Sequence, residues 1–200
     1  MSRLDEFLAA RAVHLSIDMQ NAFAKGGIWE APWMERVVPV VVALTERFAG
    51  HTVFTRFVTP SSPDEMPGAW KSYYSLRSEV LSGRLDPHMV ELVPELARFV
   101  PPARVFDKTR YSAFAVAELH AHLRERGIET LIVTGSETDM CVLASVLGAV
   151  DIGYRVVLVK DGICSSSDAG HDAQLRTYGT RFRDQVEIAE ADAVLGRWRP

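Results

Sequence analysis

Thr130-Leu131-Ile132-Val133-Thr134, running straight into Gly135-Ser136-Glu137-Thr138-Asp139-Met140-Cys141, decides the fold of this chain. The first five residues are apolar or β-branched, as in a strand covered on both faces, and the polar turn leads into a segment of helical spacing, Val142 to Val150. Runs of the same character recur at Ala12–Ile17, Thr52–Phe57, Ala103–Phe106, Arg155–Val159 and Gln185–Ile188. Helical patterns lie between them: Val37, Val40, Val41, Leu44 and Phe48; then Ala113 to Arg126; then Asp168 to Tyr178. This alternation predicts an α/β fold, a doubly wound, Rossmann-like and mostly parallel sheet with right-handed crossovers and helices on both faces. Gly50, Gly127, Gly153 and Gly179 punctuate the expected helix ends.

The chain has 200 residues, 48% hydrophobic and 24% charged, so one domain over residues 1–200 is expected. Its 22 basic and 26 acidic residues are scattered, with a formal charge of -4, which argues against a nucleic-acid or anionic-membrane partner. Met1–Arg11 carries Asp5 and Glu6 and has no apolar core, so it does not read as a signal peptide, and no stretch approaches a membrane span. A cytoplasmic protein is expected. Two cysteines, Cys141 and Cys164, make no disulfide framework and are expected to be free thiols. One segment breaks the regular alternation: Val58–Pro87, rich in Pro, Ser, Trp and Tyr and placed after the second strand. An insertion at this end of a sheet is a candidate pocket wall or lid.

Asp18 follows the first strand run, Lys108 the third, and Cys141 the fourth. Each therefore lies at the carboxyl end of a strand, where open α/β sheets place their ligands. An acid, a cation and a thiol in one crevice supply a base for the thiol proton and a counter-charge for the thiolate. The strand-to-helix turn also puts the Cys141 sulfur near a helix N-terminus, where the dipole and free N–H groups lower a thiol pKa and hold an oxyanion. Cys164, in Gly162-Ile163-Cys164-Ser165, also follows a strand and competes for the role of nucleophile, although no acid and base accompany it in a comparable arrangement.

Ser16-Ile17-Asp18-Met19-Gln20-Asn21-Ala22-Phe23, Asp107-Lys108-Thr109-Arg110-Tyr111-Ser112-Ala113-Phe114, Gly135 to Val142, and Asp151-Ile152-Gly153-Tyr154-Arg155-Val156 resemble the successive motifs of the isochorismatase-like cysteine hydrolase superfamily. The resemblance covers roughly Val13 to Ala173. It implies a triad of Asp18, Lys108 and Cys141, a six-stranded parallel sheet, and usually a homo-oligomer. It also implies a non-proline cis peptide before Glu137, with the backbone N–H groups of Glu137 and Cys141 forming an oxyanion hole. The expected partner is a small-molecule substrate, and the expected reaction is hydrolysis of a C–N bond in a small amide or carbamoyl compound through a thioester, with no cofactor.

The chain departs from the nicotinamidases of that superfamily, which hold a metal with an Asp and histidines after the second strand. Here Thr55-Arg56-Phe57-Val58-Thr59-Pro60 and the residues to His88 contain no histidine cluster, so no metal site is expected. His120 and His122 point to different faces of a helix, and His14, His51 and His171 have no ligand-like spacing. The aromatics Phe23, Trp29, Trp70, Tyr73, Tyr74, Tyr111 and Phe114 fall after strands or in the insertion and belong either to a substrate pocket or to the core. Arg56 can bind a substrate carboxylate or pair with an acidic neighbour. Other readings are vinyl ether cleavage of the isochorismatase type, a phosphoacceptor signalling module and a non-catalytic binding module. Dinucleotide binding is disfavoured because Asp18-Met19-Gln20-Asn21 offers no Gly-rich turn.

Overall fold

The computed structural model describes residues 2–200. Six strands, β1 (Ala12–Ile17), β2 (Thr52–Phe57), β3 (Arg104–Lys108), β4 (Thr130–Ser136), β5 (Arg155–Cys164) and β6 (Val186–Ala189), form one sheet in the order β3-β2-β1-β4-β5-β6. Every neighbouring pair is parallel. The expected α/β class and six-stranded sheet are both present. The order is that of a doubly wound nucleotide-type sheet and differs from the five-strand order of flavodoxin-like signalling modules.

Period-two alternation sorts the strand residues onto two faces. Val13, Leu15 and Ile17 pack with Leu131, Val133, Val156 and Leu158 beneath α5 (Ala117–Glu125), α6 (Leu143–Asp151) and α7 (Asp168–Arg181). Ala12, Ile132, Val157 and Val159 pack on the other face with α1 (Arg3–Ala9), α2 (Met34–Phe48) and α8 (Ala191–Arg197). The two terminal helices escape the sequence pattern because each is only two turns long. A capping box between Ser2 and Asp5 starts α1, and its Leu4, Phe7 and Leu8 are buried. No helix among the described residues is long and apolar enough to cross a membrane.

Some boundaries move for identifiable reasons. The fifth strand continues past Val159 to Cys164: exposed Lys160 and Asp161 interrupt the apolar run, but pairing to β4 resumes at Ile163 and Cys164. Gly127 and Gly153 end helices at φ +63° and +97°. Gly179 instead lies inside α7, and Gly50 sits in a 3₁₀ turn without positive φ. At Gly135, φ is +120°, and a Cβ would stand 2.0 Å from the Ile17 carbonyl oxygen, so only glycine lets β4 pass β1 there.

β1 and β4 are neighbours, yet the chain leaves β1 toward α2 on one face and β4 toward α6 on the other. Their carboxyl ends therefore open onto the crevice at the topological switch point.

Beneath this crevice, His14 on β1 is buried between two threonines, with Nδ1 3.3 Å from Thr52 Oγ1 and Nε2 2.8 Å from Thr134 Oγ1. Thr52 gives its hydroxyl proton to the Phe48 carbonyl, so His14 Nδ1–H donates to Thr52 and Nε2 accepts from Thr134. The neutral ring is thus satisfied, and burial pushes its pKa down to about 3 from 6.5. The unfolded chain binds this proton first. Its contribution to stability is therefore complete above pH 6.5 and is lost as pH falls toward 3. His14→Gln is expected to flatten the fall in melting temperature across that window, and parallel curves for the two proteins would refute the assignment.

Candidate active site

Asp18 immediately follows β1 and takes a left-handed backbone at φ +49°. Its carboxylate turns inward, where Oδ1 accepts from Thr55 Oγ1 at 2.7 Å and Oδ2 lies 2.6 Å from Lys108 Nζ. Lys108, the last residue of β3, reaches across β2, donates to the Arg110 carbonyl at 3.0 Å, and stands 5.1 Å from the centre of the Phe57 ring. Neither charged side chain is exposed to solvent. A fully buried ion pair pays a large desolvation cost and is weak evidence of a stability role, so its place at the end of three strands is better read as chemistry.

Cys141 completes the group: the charges of both Asp18 and Lys108 act on its buried sulfur. The Ser136–Glu137 peptide is cis, as the resemblance implied. A wide π-type turn, Thr138–Val142, then carries the thiol. The Glu137 carbonyl accepts from the N–H groups of Met140 and Val142 and passes over that of Cys141, while Glu137 N–H has no backbone acceptor among the described residues. Thr138 Oγ1 holds the turn by donating to the Cys164 carbonyl at 3.1 Å, so His171 Nδ1–H must be the donor in the 2.9 Å contact with the same oxygen.

Sequence reasoning expected the helix N-terminus to lower the Cys141 pKa. Burial instead pushes the thiol up, the Asp18 carboxylate pushes it further, and Lys108 pulls it down without reversing the balance. The balance favours the protonated thiol. Cys164 is also a neutral thiol, pushed up to about 12 chiefly by burial, and it packs among Phe23, Phe54 and Leu92.

A pocket of about 130 Å³ opens onto Cys141, lined by Phe23, Trp29, Phe57, Tyr73, Tyr111, Met140 and Glu137. Phe23, Trp29 and Tyr111, which the sequence left between pocket and core, line this cavity. Trp70 does not line the pocket; it backs Tyr111 at 4.8 Å. Phe114 turns away, because its ring packs on Tyr154 at 5.7 Å and over Gly148. Within the Val58–Pro87 insertion, α3 (Ala69–Leu76) brings Tyr73 to the wall, held by a small core of Phe57, Met66, Tyr74, Val80 and Leu81. Arg56 is committed elsewhere, forked onto Asp107 at 2.7 and 2.9 Å and bonded to Glu91 at 3.1 Å.

Three positions escaped the sequence reading. Thr55 and Phe57 end β2 beside the crevice, so the strand-end rule applied to them too, and Thr55 is a polar residue inside an apolar strand. Gln20, buried after β1, exchanges bonds with Phe57 and also donates to the Val90 carbonyl, which ties the pocket floor to the segment that leads through α4 (Pro94–Ala97) to β3.

The residues after β2 do not fit a metal. Val58, Thr59, Pro60, Ser61 and Ser62 provide no carboxylate or imidazole, and Asp64 is exposed and paired with Lys71. Among the described residues, no three His, Cys, Asp or Glu side chains gather as a metal cluster.

The isochorismatase domain model matches residues 12–190. An uncharacterised isochorismatase family protein of Bacillus subtilis, PncA, is 38% identical over 86 residues, a match spanning 43% of this chain and 47% of that protein. The ureidoacrylate amidohydrolase RutB of Methylorubrum extorquens is 29% identical over 94% of this chain and 84% of its own length. The crystal structure of the nicotinamidase/pyrazinamidase PncA from Bacillus subtilis superposes with a TM-score of 0.72 at 26% identity, over 90% of this chain and all of that one. With its sheet order, its buried Asp18–Lys108 pair and a family match over nearly its whole length, the chain belongs to the isochorismatase domain family.

Proposed function

We propose that the protein hydrolyses a small amide through a thioester on Cys141, with Asp18 as the proton carrier and Lys108 as the charge partner. The coarser statement, that it is a hydrolase of non-peptide C–N bonds, rests on the family and its amidohydrolase relatives. The observation that carries the finer reading is a buried thiol that opens onto the pocket while the charges of a fully buried carboxylate–ammonium pair act on it. A neutral thiol is a poor nucleophile, so its proton must leave as the sulfur attacks, and the Asp18 carboxylate is the base within reach. Lys108 offsets the negative charge that builds on sulfur. As the carbonyl becomes tetrahedral, its oxygen takes the N–H groups of Glu137 and Cys141, neither of which is engaged by the Glu137 carbonyl. Asp18 returns the proton to the departing amine. Water, losing a proton to the same carboxylate, then attacks the thioester, the C–S bond breaks to release the acid, and Asp18 gives that proton back to the Cys141 sulfur.

Ammonia release over a panel of small amides, ureas and carbamoyl compounds tests the reading, with hydroxylamine added to capture the acyl group from the enzyme. A turned-over amide that never labels Cys141 would refute the thioester. The donor-poor segment after β2 leads to a second expectation: turnover survives prolonged chelation. Loss of activity, restored by added zinc, iron or manganese, would contradict it.

A further inference from the structure

The residues that line the substrate pocket include one negative charge and no cation. Asp18 and Lys108 cancel as a pair at its base, and Phe23, Trp29, Phe57, Tyr73, Tyr111 and Met140 are uncharged. The remaining wall residue is Glu137, half-buried, with Oε1 accepting from the Ser166 N–H at 3.0 Å. None of the ion pairs among the described residues includes it. Asp139, two residues on, is likewise without a cationic partner and accepts from the Ser165 hydroxyl. No Arg, Lys or His lines the cavity. At the exposed rim, Arg77 lies 4.5 Å over the Tyr73 ring, and its charge acts on Tyr73 in opposition to that of Glu79.

We propose that the Glu137 side chain is a charge filter, and that the pocket takes small amides with a cationic remote group in preference to carboxylate-bearing ones. This rests on the amidohydrolase reading and adds a substrate class to it. Aromatic faces present the negative side of their quadrupoles, so a ring-lined wall attracts a cation as the Glu137 carboxylate does. A substrate carboxylate would lose its water in the same pocket and meet Glu137 with no basic residue in the lining to pair with, since Arg77 stands outside it over the Tyr73 ring. The ureidoacrylate relative is named for a carboxylate-bearing compound, so the charge on this wall is where the present chain is inferred to differ from it. Size restricts the choice further. A cavity of about 130 Å³ is small beside the roughly 300–1,000 Å³ of drug-sized ligand sites, so a compact amide is expected.

Three amides of matched length isolate charge: γ-aminobutyramide, neutral valeramide and anionic glutaramate. Each is measured by its protection of Cys141 from iodoacetamide in a Cys164→Ser background, which reports occupancy and needs no turnover. Ammonia release from the same compounds is read separately, so failure of the hydrolase reading and failure of the charge filter give different results. The expected order is γ-aminobutyramide, then valeramide, then glutaramate, with at least a tenfold spread in half-protecting concentration. Glu137→Gln keeps the backbone N–H and an oxygen for Ser166, and should shrink that spread to a few-fold. Glutaramate protecting as well as γ-aminobutyramide, no protection by γ-aminobutyramide at all, or an undiminished spread in Glu137→Gln would each overturn the proposal.

Discussion

Cys141→Ala is expected to lower turnover by several orders of magnitude with the fold intact, whereas Cys164→Ser should retain most of it. Both thiols are buried and both are pushed up by burial, so neither exposure nor acidity distinguishes them. Their neighbours do. The Asp18 and Lys108 charges act on Cys141, which faces the pocket, while Cys164 packs in an apolar core. Removing a nucleophile takes away the covalent path, and what remains is the contribution of binding and the oxyanion site. Cys164→Ser changes volume little but buries a hydroxyl in an apolar core, a cost to stability and not to the chemistry, at a site that Thr138 braces through the backbone carbonyl. Ammonia release and circular dichroism on both variants decide it: equal loss in two natively folded variants would return the nucleophile assignment to open competition.

Much of this was legible because strands covered on both faces declare themselves. Ala12–Ile17 and Thr52–Phe57 have the bounds their apolar runs suggest. Once alternation with helices implies a parallel sheet, the carboxyl-end rule places Asp18, Lys108 and Cys141 together before any coordinate is known. What stayed hidden depended on side-chain direction and on long-range pairing. Phe114 and Tyr111 are three residues apart, and nothing local says that one ring packs on Tyr154 while the other faces the thiol. Arg56 could not be assigned because its two acidic partners come from distant parts of the chain, Glu91 and Asp107. The Cys141 pKa ran opposite to expectation for a similar reason. A helix start is visible in sequence, but the burial that outweighs it is a property of the assembled core.

Asp18→Asn and Lys108→Met should move the Cys141 thiol in opposite directions while both abolish most turnover. After burial, the largest influence on the sulfur is repulsion from the Asp18 carboxylate, and the Lys108 charge opposes it. Removing the carboxylate leaves a buried ammonium whose nearest available counter-ion is the thiolate itself, so Asp18→Asn should alkylate at lower pH than the parent. Removing the ammonium leaves a carboxylate held only by Thr55 among side chains, and Lys108→Met should need higher pH. Each change breaks a buried pair at a cost of about 3–5 kcal/mol, so melting temperature must be recorded beside every rate. The experiment is the pH dependence of iodoacetamide labelling in a Cys164→Ser background, with ammonia release measured on the same samples. The Asp18 variant is the more informative. A sulfur that labels more readily yet no longer turns over amide would show that the carboxylate serves to carry a proton and not to create a standing thiolate. If both variants shift the same way, or neither shifts, the carboxylate and the ammonium do not act on the sulfur, and the three residues are not a catalytic unit.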